Sequence, residues 1–256
     1  MRRVFDHIIL SIAVLVFCGP VFWLLIRGLA PATFATNIAT IETRFNFGGG
    51  PSLDGVVRTS VTVATGTALS TTVFSFVFAY ALVFCRPRVG PLFFWTTLAT
   101  LYFPIEARML QTFEVVWTLG LTSQFSGLIL PILPVAVGTL FFRQHFMRLP
   151  PEVLEAARID GAGPLRCLAQ IVLPMSWHAV SAVGLISFIW GWNQYLWPLM
   201  ASIDDRHWTL VRAIEILNAG SPQGLTLAAL SVLPPLILVI LFTRILAQMG
   251  ELKVHG

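Results

Sequence analysis

The feature that most constrains this chain is a set of long runs without a charged side chain. No Asp, Glu, Lys or Arg occurs from Thr59 to Cys85, and a similar run extends from Ile8 to Ile26. A helix rises about 1.5 Å per residue, so either run can cross a hydrocarbon layer of about 30 Å. With a mean hydropathy of +0.81 and 11% charged residues, the chain is far more apolar than a soluble domain needs to be. The sequence therefore predicts a polytopic, all-α membrane protein.

Runs of this kind predict six transmembrane helices in one domain that covers residues 1–256. The predicted spans cover residues 8–29, 59–85, 89–110, 125–142, 175–199 and 225–246. Prolines are expected to kink the fourth span at Pro131 and Pro134, and two more lie inside the sixth. The stretch 31–58, with the Gly-rich run at 48–51, predicts a flexible external loop, and the acidic pair at 204–205 predicts another. A cleavable signal peptide is the alternative for the first span, but its apolar core would usually be only about 7 to 15 residues.

The distribution of Lys and Arg predicts the orientation in the membrane. Ten of the 16 lie on the side of the termini: Arg2, Arg3, Arg86, Arg88, Arg143, Arg148, Arg158, Arg166, Arg244 and Lys253. The six on the other side are Arg27, Arg44, Arg58, Arg108, Arg206 and Arg212. By the positive-inside rule both termini are predicted to be cytoplasmic, together with the polar loop 143–174.

Several functional classes find no support in the sequence. Lys253 is the only lysine and follows Leu252, so the chain contains no phosphate loop, and the five histidines have no metal-site spacing. No cofactor, metal or nucleic-acid site is expected, and no group of residues suggests an enzyme. The three cysteines have no paired spacing, and no disulfide is expected. An ion-coupled carrier is the less favoured transport class, because the predicted spans are nearly free of Asp and Glu.

The most informative polar stretch runs from Pro150 to Pro174 and reads PPEVLEAARIDGAGPLRCLAQIVLP. Pro151 suits a first helical position, and Gly161 can adopt the left-handed conformation that ends a helix. The pattern predicts one helix from Pro151 to Asp160 and a second that begins at Pro164. The first helix carries small residues that allow another surface to approach closely, beside a stripe of acidic and aliphatic side chains. It is interpreted as a docking surface.

The spacing of Glu155, Ala156, Ala157 and Gly161 and the Ile-x-Leu-Pro ending resemble the EAA loop of the permeases of binding-protein-dependent ABC importers. The resemblance implies that this loop is a coupling helix seated in a cleft of a cytoplasmic ABC ATPase dimer, which binds the ATP and Mg. It also implies a second, homologous permease subunit, an external substrate-binding protein and a location in the bacterial inner membrane. The residues it assigns to ATPase docking are Glu152, Glu155, Ala156, Ala157, Ile159, Asp160 and Gly161.

Three further stretches look closer to one branch of this family, the sn-glycerol-3-phosphate permeases, and in particular to the second of their two membrane subunits. The stretches are FPIEARMLQTFEVV at 103–116, LFFRQHFMRLPPEVLEAARIDGAG at 140–163 and GWNQYLWPL at 191–199. Gln111 stands where that branch tends to have Pro, and the external loops look shorter. The resemblance implies half of a translocation pathway for sn-glycerol 3-phosphate or a related phosphorylated polyol. A neutral sugar or oligosaccharide is the alternative cargo.

Two groups of residues are candidates for contact with the substrate. Trp192, Asn193, Gln194 and Tyr195 interrupt the fifth span with hydrogen-bonding and aromatic groups, which either line a passage or form an interfacial belt bonded to neighbouring helices. Arg108 either binds an anionic substrate or forms an interfacial salt bridge with Glu106, because a charge at mid-membrane costs at least about 2.5 to 3.5 kcal/mol.

Overall fold

The computed structural model describes residues 2–47, 50–85, 87–204 and 207–254; side chains are described within these ranges except at 2–4, 46, 47, 105, 158 and 245–254. These residues form α-helices joined by turns and short 3-10 and π-helical segments, and they include no β-strand. The prediction of an all-α fold is confirmed. Gly48 and Gly49 of the Gly-rich run, Arg86, and Asp205 and Arg206 of the predicted external loop lie outside the described residues.

The helices are numbered in chain order. They are α1 Arg2–Gly28, α2 Pro31–Phe47, α3 Leu53–Tyr80, α4 Gly90–Ala99, α5 Met109–Thr118, α6 Phe125–Ile129, α7 Val135–Phe146, α8 Pro151–Ile159, α9 Pro164–Cys167, α10 Leu173–Met175, α11 Trp177–Trp192, α12 Leu196–Ala201, α13 Leu210–Ile216 and α14 Pro222–Val254. A π-helical segment, Ala81–Cys85, extends α3, and another, Leu168–Val172, joins α9 to α10.

The chain forms two compact units, Met1–Ser60 with Asp204–Gly256 and Val61–Ile203, so that α3 begins in the first and continues in the second. The predicted flexible loop at 31–58 is largely helical, because α2 occupies Pro31–Phe47. In the first unit α14 packs against α1, α2 and α13. A side chain at Gly28 would overlap Ala229, so the glycine is what lets α1 and α14 approach closely. The buried amide of Asn37 on α2 donates a 2.9 Å hydrogen bond to the Thr226 hydroxyl on α14.

In the second unit, the inner face of α3 is built from small and hydroxyl-bearing side chains. Thr67, Thr71 and Ser75 are fully buried at four-residue spacing. Thr67 packs against Gly191 of α11, and Ser75 against Gly138 of α7, leaving no room for a side chain at either glycine. Small residues are typical of helix contacts in lipid, where close van der Waals packing replaces the hydrophobic effect as the driving force.

Three helices are long and apolar enough to cross a membrane unbroken: Phe5–Gly28, Leu53–Cys85 and Pro222–Arg244. Two more candidate spans are bent pairs, Phe125–Ile132 with Val135–Phe146 at 53° and Pro164–Met175 with Trp177–Trp192 at 80°. The kink predicted in the fourth span therefore exists. α14, by contrast, continues as one helix through both of its internal prolines. The fifth predicted span, 175–199, is divided after Trp192 by a short non-helical segment.

The third predicted span, 89–110, is not a continuous helix. α4 continues as a 3-10 turn to Tyr102, and then Phe103 and Pro104 are extended before a second 3-10 turn, Ile105–Arg108. The helical part reaches only about 21 Å, less than a hydrocarbon core of about 30 Å. Pro104 explains the break, since proline lacks an N–H and pushes the preceding residue out of the helical region.

Candidate coupling loop and substrate cavity

The predicted docking helix is α8, Pro151–Ile159, which matches the sequence prediction to within one residue. Gly161 has a φ of +77°, and the Ala162 N–H donates a 2.9 Å hydrogen bond to the Ala157 carbonyl. This six-to-one bond across a left-handed glycine is the Schellman arrangement that ends a helix. The position of Asp160 is fixed by its own N–H, which donates to the Ala156 carbonyl at 2.9 Å.

The outer face of α8 combines acidic and apolar groups that are exposed. Glu152, Glu155 and Ala156 are exposed, and Ile159 has 86% of its surface exposed. Leu165, at the start of α9, is 80% exposed, and sequence reasoning did not assign it to this surface. Covering such side chains gains about 25 cal/mol per Å² of apolar area removed from water. We call this surface, Glu152, Glu155, Ala156, Ile159, Asp160 and Leu165, the outer face of the coupling loop.

The inner face of α8 is packed into an aromatic cluster of the same unit. Leu154 and Ala157 are buried, with Ala157 only 6% exposed. Ala157, which the resemblance assigns to ATPase docking, faces the interior of its own unit, because the helical period that exposes Ala156 turns Ala157 inward. The aromatic cluster consists of Phe76 and Tyr80 of α3, Phe84, and Phe142 and Phe146 of α7, with neighbouring ring centroids 5.1 to 6.0 Å apart.

A hydrogen bond also ties the loop to α3. The Tyr80 hydroxyl donates to the Pro164 carbonyl at 2.8 Å, at the first residue of α9. Cys167 and Val172, further along the loop, are buried in the core that contains Leu154. The loop is thus held on its inner side by α3, α7 and α11, while its outer face is open.

A cavity of about 640 Å³ lies in the same unit, bounded by α4 and the turns that follow it, the break between α6 and α7, and α11. Its walls are mostly apolar. The residues that line it are Thr97, Thr100, Leu101, Phe103, Pro104, Glu106, Arg108, Ile132, Leu133, Pro134, Val135, Ala136, Val137, Gly138, Phe141, Val183, Ile186, Ser187 and Trp190.

The predicted substrate contact Arg108 lines this cavity together with Glu106. Both residues are exposed, and within the described part of the chain neither side chain forms an ion pair within 4.0 Å. The described structure therefore does not contain the alternative, an interfacial salt bridge between Arg108 and Glu106. A guanidinium on a mostly apolar wall is available for an anionic group.

The other predicted substrate contacts lie away from the cavity lining. Trp192 is 2% exposed and stacks on Phe188 with centroids 5.8 Å apart, and the Asn193 amide donates to the Ile189 carbonyl at 2.9 Å. The Gln194 amide lies 3.4 Å from the Trp190 carbonyl. Neither these three nor Tyr195 lines the cavity as it is described. The helical period turns Trp190 toward the cavity and Trp192 into the core, and contact of these four residues with the substrate stays a prediction.

Known proteins resemble this chain over nearly its whole length. No family model matches the sequence. The sn-glycerol-3-phosphate transport system permease protein UgpE of Rhizobium meliloti is 34% identical over 95% of this chain and 94% of its own length. UgpE of Agrobacterium fabrum is also 34% identical with the same coverage. UgpE of Yersinia pestis is 44% identical over 65% of this chain and 61% of its own length. The chain belongs to the UgpE family of permeases.

The fold of this UgpE-family chain is also found in a solved structure. A chain from the crystal structure of a bacterial ABC transporter, involved in the import of the acidic polysaccharide alginate, superposes with a TM-score of 0.73. The match covers 94% of this chain and 95% of that chain at 20% identity, which shows a shared fold. The UgpE relatives and this shared fold together confirm the predicted resemblance to ABC-importer permeases, and the chain is a multi-pass permease of the inner membrane.

Some cavity residues of this UgpE-family permease were missed by sequence reasoning. Thr97, Thr100, Ser187 and Trp190 line the cavity without having been predicted to do so. One signal for the site was present, since two prolines in the fourth span predict a helix break and broken helices line cavities in membrane proteins. No pattern in the sequence indicates that α4 and α11 lie opposite that break.

Proposed function

We propose that this UgpE-family permease forms half of the translocation pathway of an ATP-driven importer of sn-glycerol 3-phosphate or a related phosphorylated polyol. The observation that carries the proposal is the match over 95% of the chain to permeases named for sn-glycerol-3-phosphate transport. The available guanidinium of Arg108 on the cavity wall supports an anionic cargo. A neutral sugar or oligosaccharide is the alternative cargo.

The partners in this proposal are a cytoplasmic ABC ATPase dimer, a second permease subunit and an external substrate-binding protein. The ATPase supplies the nucleotide and Mg sites, in keeping with a chain whose only lysine is Lys253 and which carries no phosphate loop. Its contact is the outer face of the coupling loop, where the apolar side chains of Ile159 and Leu165 are open beside the carboxylates of Glu152 and Glu155. Both termini and this loop are cytoplasmic in the proposal.

The proposed coupling follows from the two faces of α8. When the ATPase closes on ATP it displaces the outer face, and the buried Leu154 passes that displacement to the aromatic cluster at α3 and α7. Packed cores move as rigid pieces, so a shift of α8 moves the span ends instead of deforming the loop. Alternating access of the cavity to the two sides of the membrane is the expected result.

The proposal is tested by uptake in proteoliposomes that hold this chain, the second permease and the ATPase, with the binding protein added outside. Uptake of labelled sn-glycerol 3-phosphate is expected only with ATP inside and the binding protein present. Uptake by this chain alone on an ion gradient would contradict the importer mechanism. A neutral sugar transported in preference to sn-glycerol 3-phosphate would contradict the assigned cargo and favour the alternative.

A further inference from the structure

We propose that the break between α6 and α7 forms a phosphoryl-binding subsite on the cavity wall, made by the N-terminus of α7 together with Ser187 and lying in the same cavity as Arg108. The inference rests on the proposed function for the identity of the cargo, but its chemistry is that of any phosphate monoester. It assigns a role to two features, the open helix end and Ser187, that the sequence did not single out.

The N-terminus of α7 is open toward the cavity. All five residues from Pro134 to Gly138 line the cavity, and the capping residue Pro134 provides no side-chain hydrogen bond. Within the described residues the Gly138 N–H donates to the Pro134 carbonyl, whereas the N–H groups of Ala136 and Val137 have no acceptor. Unpaired first-turn N–H groups and the positive end of the helix dipole make such a terminus a binding place for an anion.

Ser187 of α11 is a second and independent observation. Its side chain lines the cavity although the residue is only 2% exposed, and its hydroxyl has no hydrogen-bond partner among the described residues. The Ser187 hydroxyl is not among the fully enclosed unpaired side-chain atoms of the described residues, so it is reached from the cavity. By contrast Ser181, on the same helix, donates to the Trp177 carbonyl at 3.0 Å. The Ser187 hydroxyl is open to the cavity and unpaired, so it is available to donate a hydrogen bond to a group bound there.

The carbonyl groups at the break already accept hydrogen bonds. The polar groups that remain open there are donors. The Trp190 indole N–H donates to the Ile132 carbonyl at 2.9 Å, and the Ser75 hydroxyl donates to the Val135 carbonyl at 3.0 Å. What the break leaves open is N–H groups. A cation would find few acceptors there, whereas a phosphoryl group brings three acceptor oxygens.

Charge in the cavity is nearly balanced by side chains, since Glu106 lines it as well as Arg108. The Glu106 carboxylate repels an anion, and the Arg108 guanidinium attracts it. The uncompensated attraction comes from the N-terminus of α7, equivalent to about half a positive charge. A phosphate monoester, with about −1.5 to −2 charges near neutral pH, gains more from this field than a singly charged diester does.

The test uses Ser187→Cys as a reporter in the assembled transporter, with Cys18, Cys85 and Cys167 each replaced by alanine. A thiosulfonate reagent bearing a sulfonate and its trimethylammonium counterpart are compared for the rate of labelling. We expect the anionic reagent to be favoured, and inorganic phosphate or sn-glycerol 3-phosphate, but not glycerol, to slow labelling at least about threefold. Arg108→Gln should lower the preference for the anionic reagent, and Glu106→Gln should raise it.

Labelling that shows no preference for charge and no protection by phosphate would overturn the subsite. Ser181→Cys serves as the matched control, because that hydroxyl lies on the same helix but outside the cavity lining. Phosphate protection without sn-glycerol 3-phosphate uptake would support the subsite and reject the cargo. Uptake of sn-glycerol 3-phosphate without phosphate protection would support the cargo and reject the subsite.

If the Ser187→Cys transporter does not assemble, a second measurement tests the subsite. Ser187→Ala is expected to raise the KM for sn-glycerol 3-phosphate uptake about tenfold or more, because it removes a hydrogen bond to a charged group. Ser181→Ala should leave KM unchanged. An unchanged KM in the Ser187→Ala transporter would also count against the subsite.

Discussion

At the scale of single residues, Arg108 is the charge whose environment most favours contact with an anionic cargo. Replacing it with Gln removes the guanidinium but keeps hydrogen-bonding capacity, so the KM for sn-glycerol 3-phosphate should rise about tenfold or more. Arg108→Lys, which keeps the charge and loses the planar fork, should have a smaller effect. The measurement is ATP-dependent uptake in proteoliposomes over a range of substrate concentrations. Equal KM values for all three proteins would show that Arg108 does not contact the cargo.

Gly161 is the residue at which backbone conformation alone decides the outcome. Its φ of +77° is left-handed, and a Cβ there would meet nothing within 4 Å. A β-branched side chain therefore costs conformational strain of about 1 to 2 kcal/mol without any clash, whereas Asn tolerates this region. We expect Gly161→Val to weaken co-purification of the ATPase and Gly161→Asn to retain most of it. Both variants should insert in the membrane, and equal ATPase recovery in the two would contradict the assignment.

At the scale of the element, the two faces of α8 predict two different defects. Ile159→Ala changes an exposed side chain and should reduce ATPase recovery without changing the thermal stability of the permease. Leu154→Ala removes a buried side chain from the core with the aromatic cluster and should lower stability, by about 2 to 5 kcal/mol in a well-packed core. In Leu154→Ala the ATPase should still bind, but ATP hydrolysis should drive less uptake.

The readouts for that pair are ATPase recovery, melting temperature and molecules imported per ATP hydrolysed. A loss of ATPase binding in Leu154→Ala with normal stability would mean that α8 presents the other face to its partner. Tyr80→Phe supplies a milder variant, since it keeps the aromatic ring and removes the hydroxyl that donates to the Pro164 carbonyl. Its cost should be about 0.5 to 1.5 kcal/mol.

The same element shows why parts of the molecule follow from sequence and others do not. α8 begins at a proline and ends before a left-handed glycine, and both are local signals that the chain carries within a few residues. α11 is apolar on all sides, so its sequence contains no stripe that distinguishes Trp190, which faces the cavity, from Trp192, which faces the core. Pro104 is a local signal for a break in the helix. Whether the third span still crosses the membrane depends on the length of the helix before the break as well as on its composition.

At the scale of the whole molecule, the segment from Gly90 to Thr118 determines the topology. α1, α3, the bent pair of α6 and α7, the bent pair that ends in α11, and α14 provide five candidate crossings. If the segment 90–118 crosses as well, the total is six and both termini lie on one side. If it does not, the total is five and the termini lie on opposite sides.

Arg148 separates these two topologies, because it follows the segment in question and is exposed. With the sixth crossing Arg148 lies four crossings from the N-terminus and on the same side; without it, Arg148 lies three crossings away and on the opposite side. The count of ten Lys and Arg against six favours the first arrangement. Arg148→Cys, in a protein whose three native cysteines are replaced by alanine, should therefore resist an impermeant thiol reagent in intact cells and react in inverted vesicles. Reaction in intact cells would place the coupling loop outside, where no ATPase could reach it, and would remove the basis of the importer mechanism.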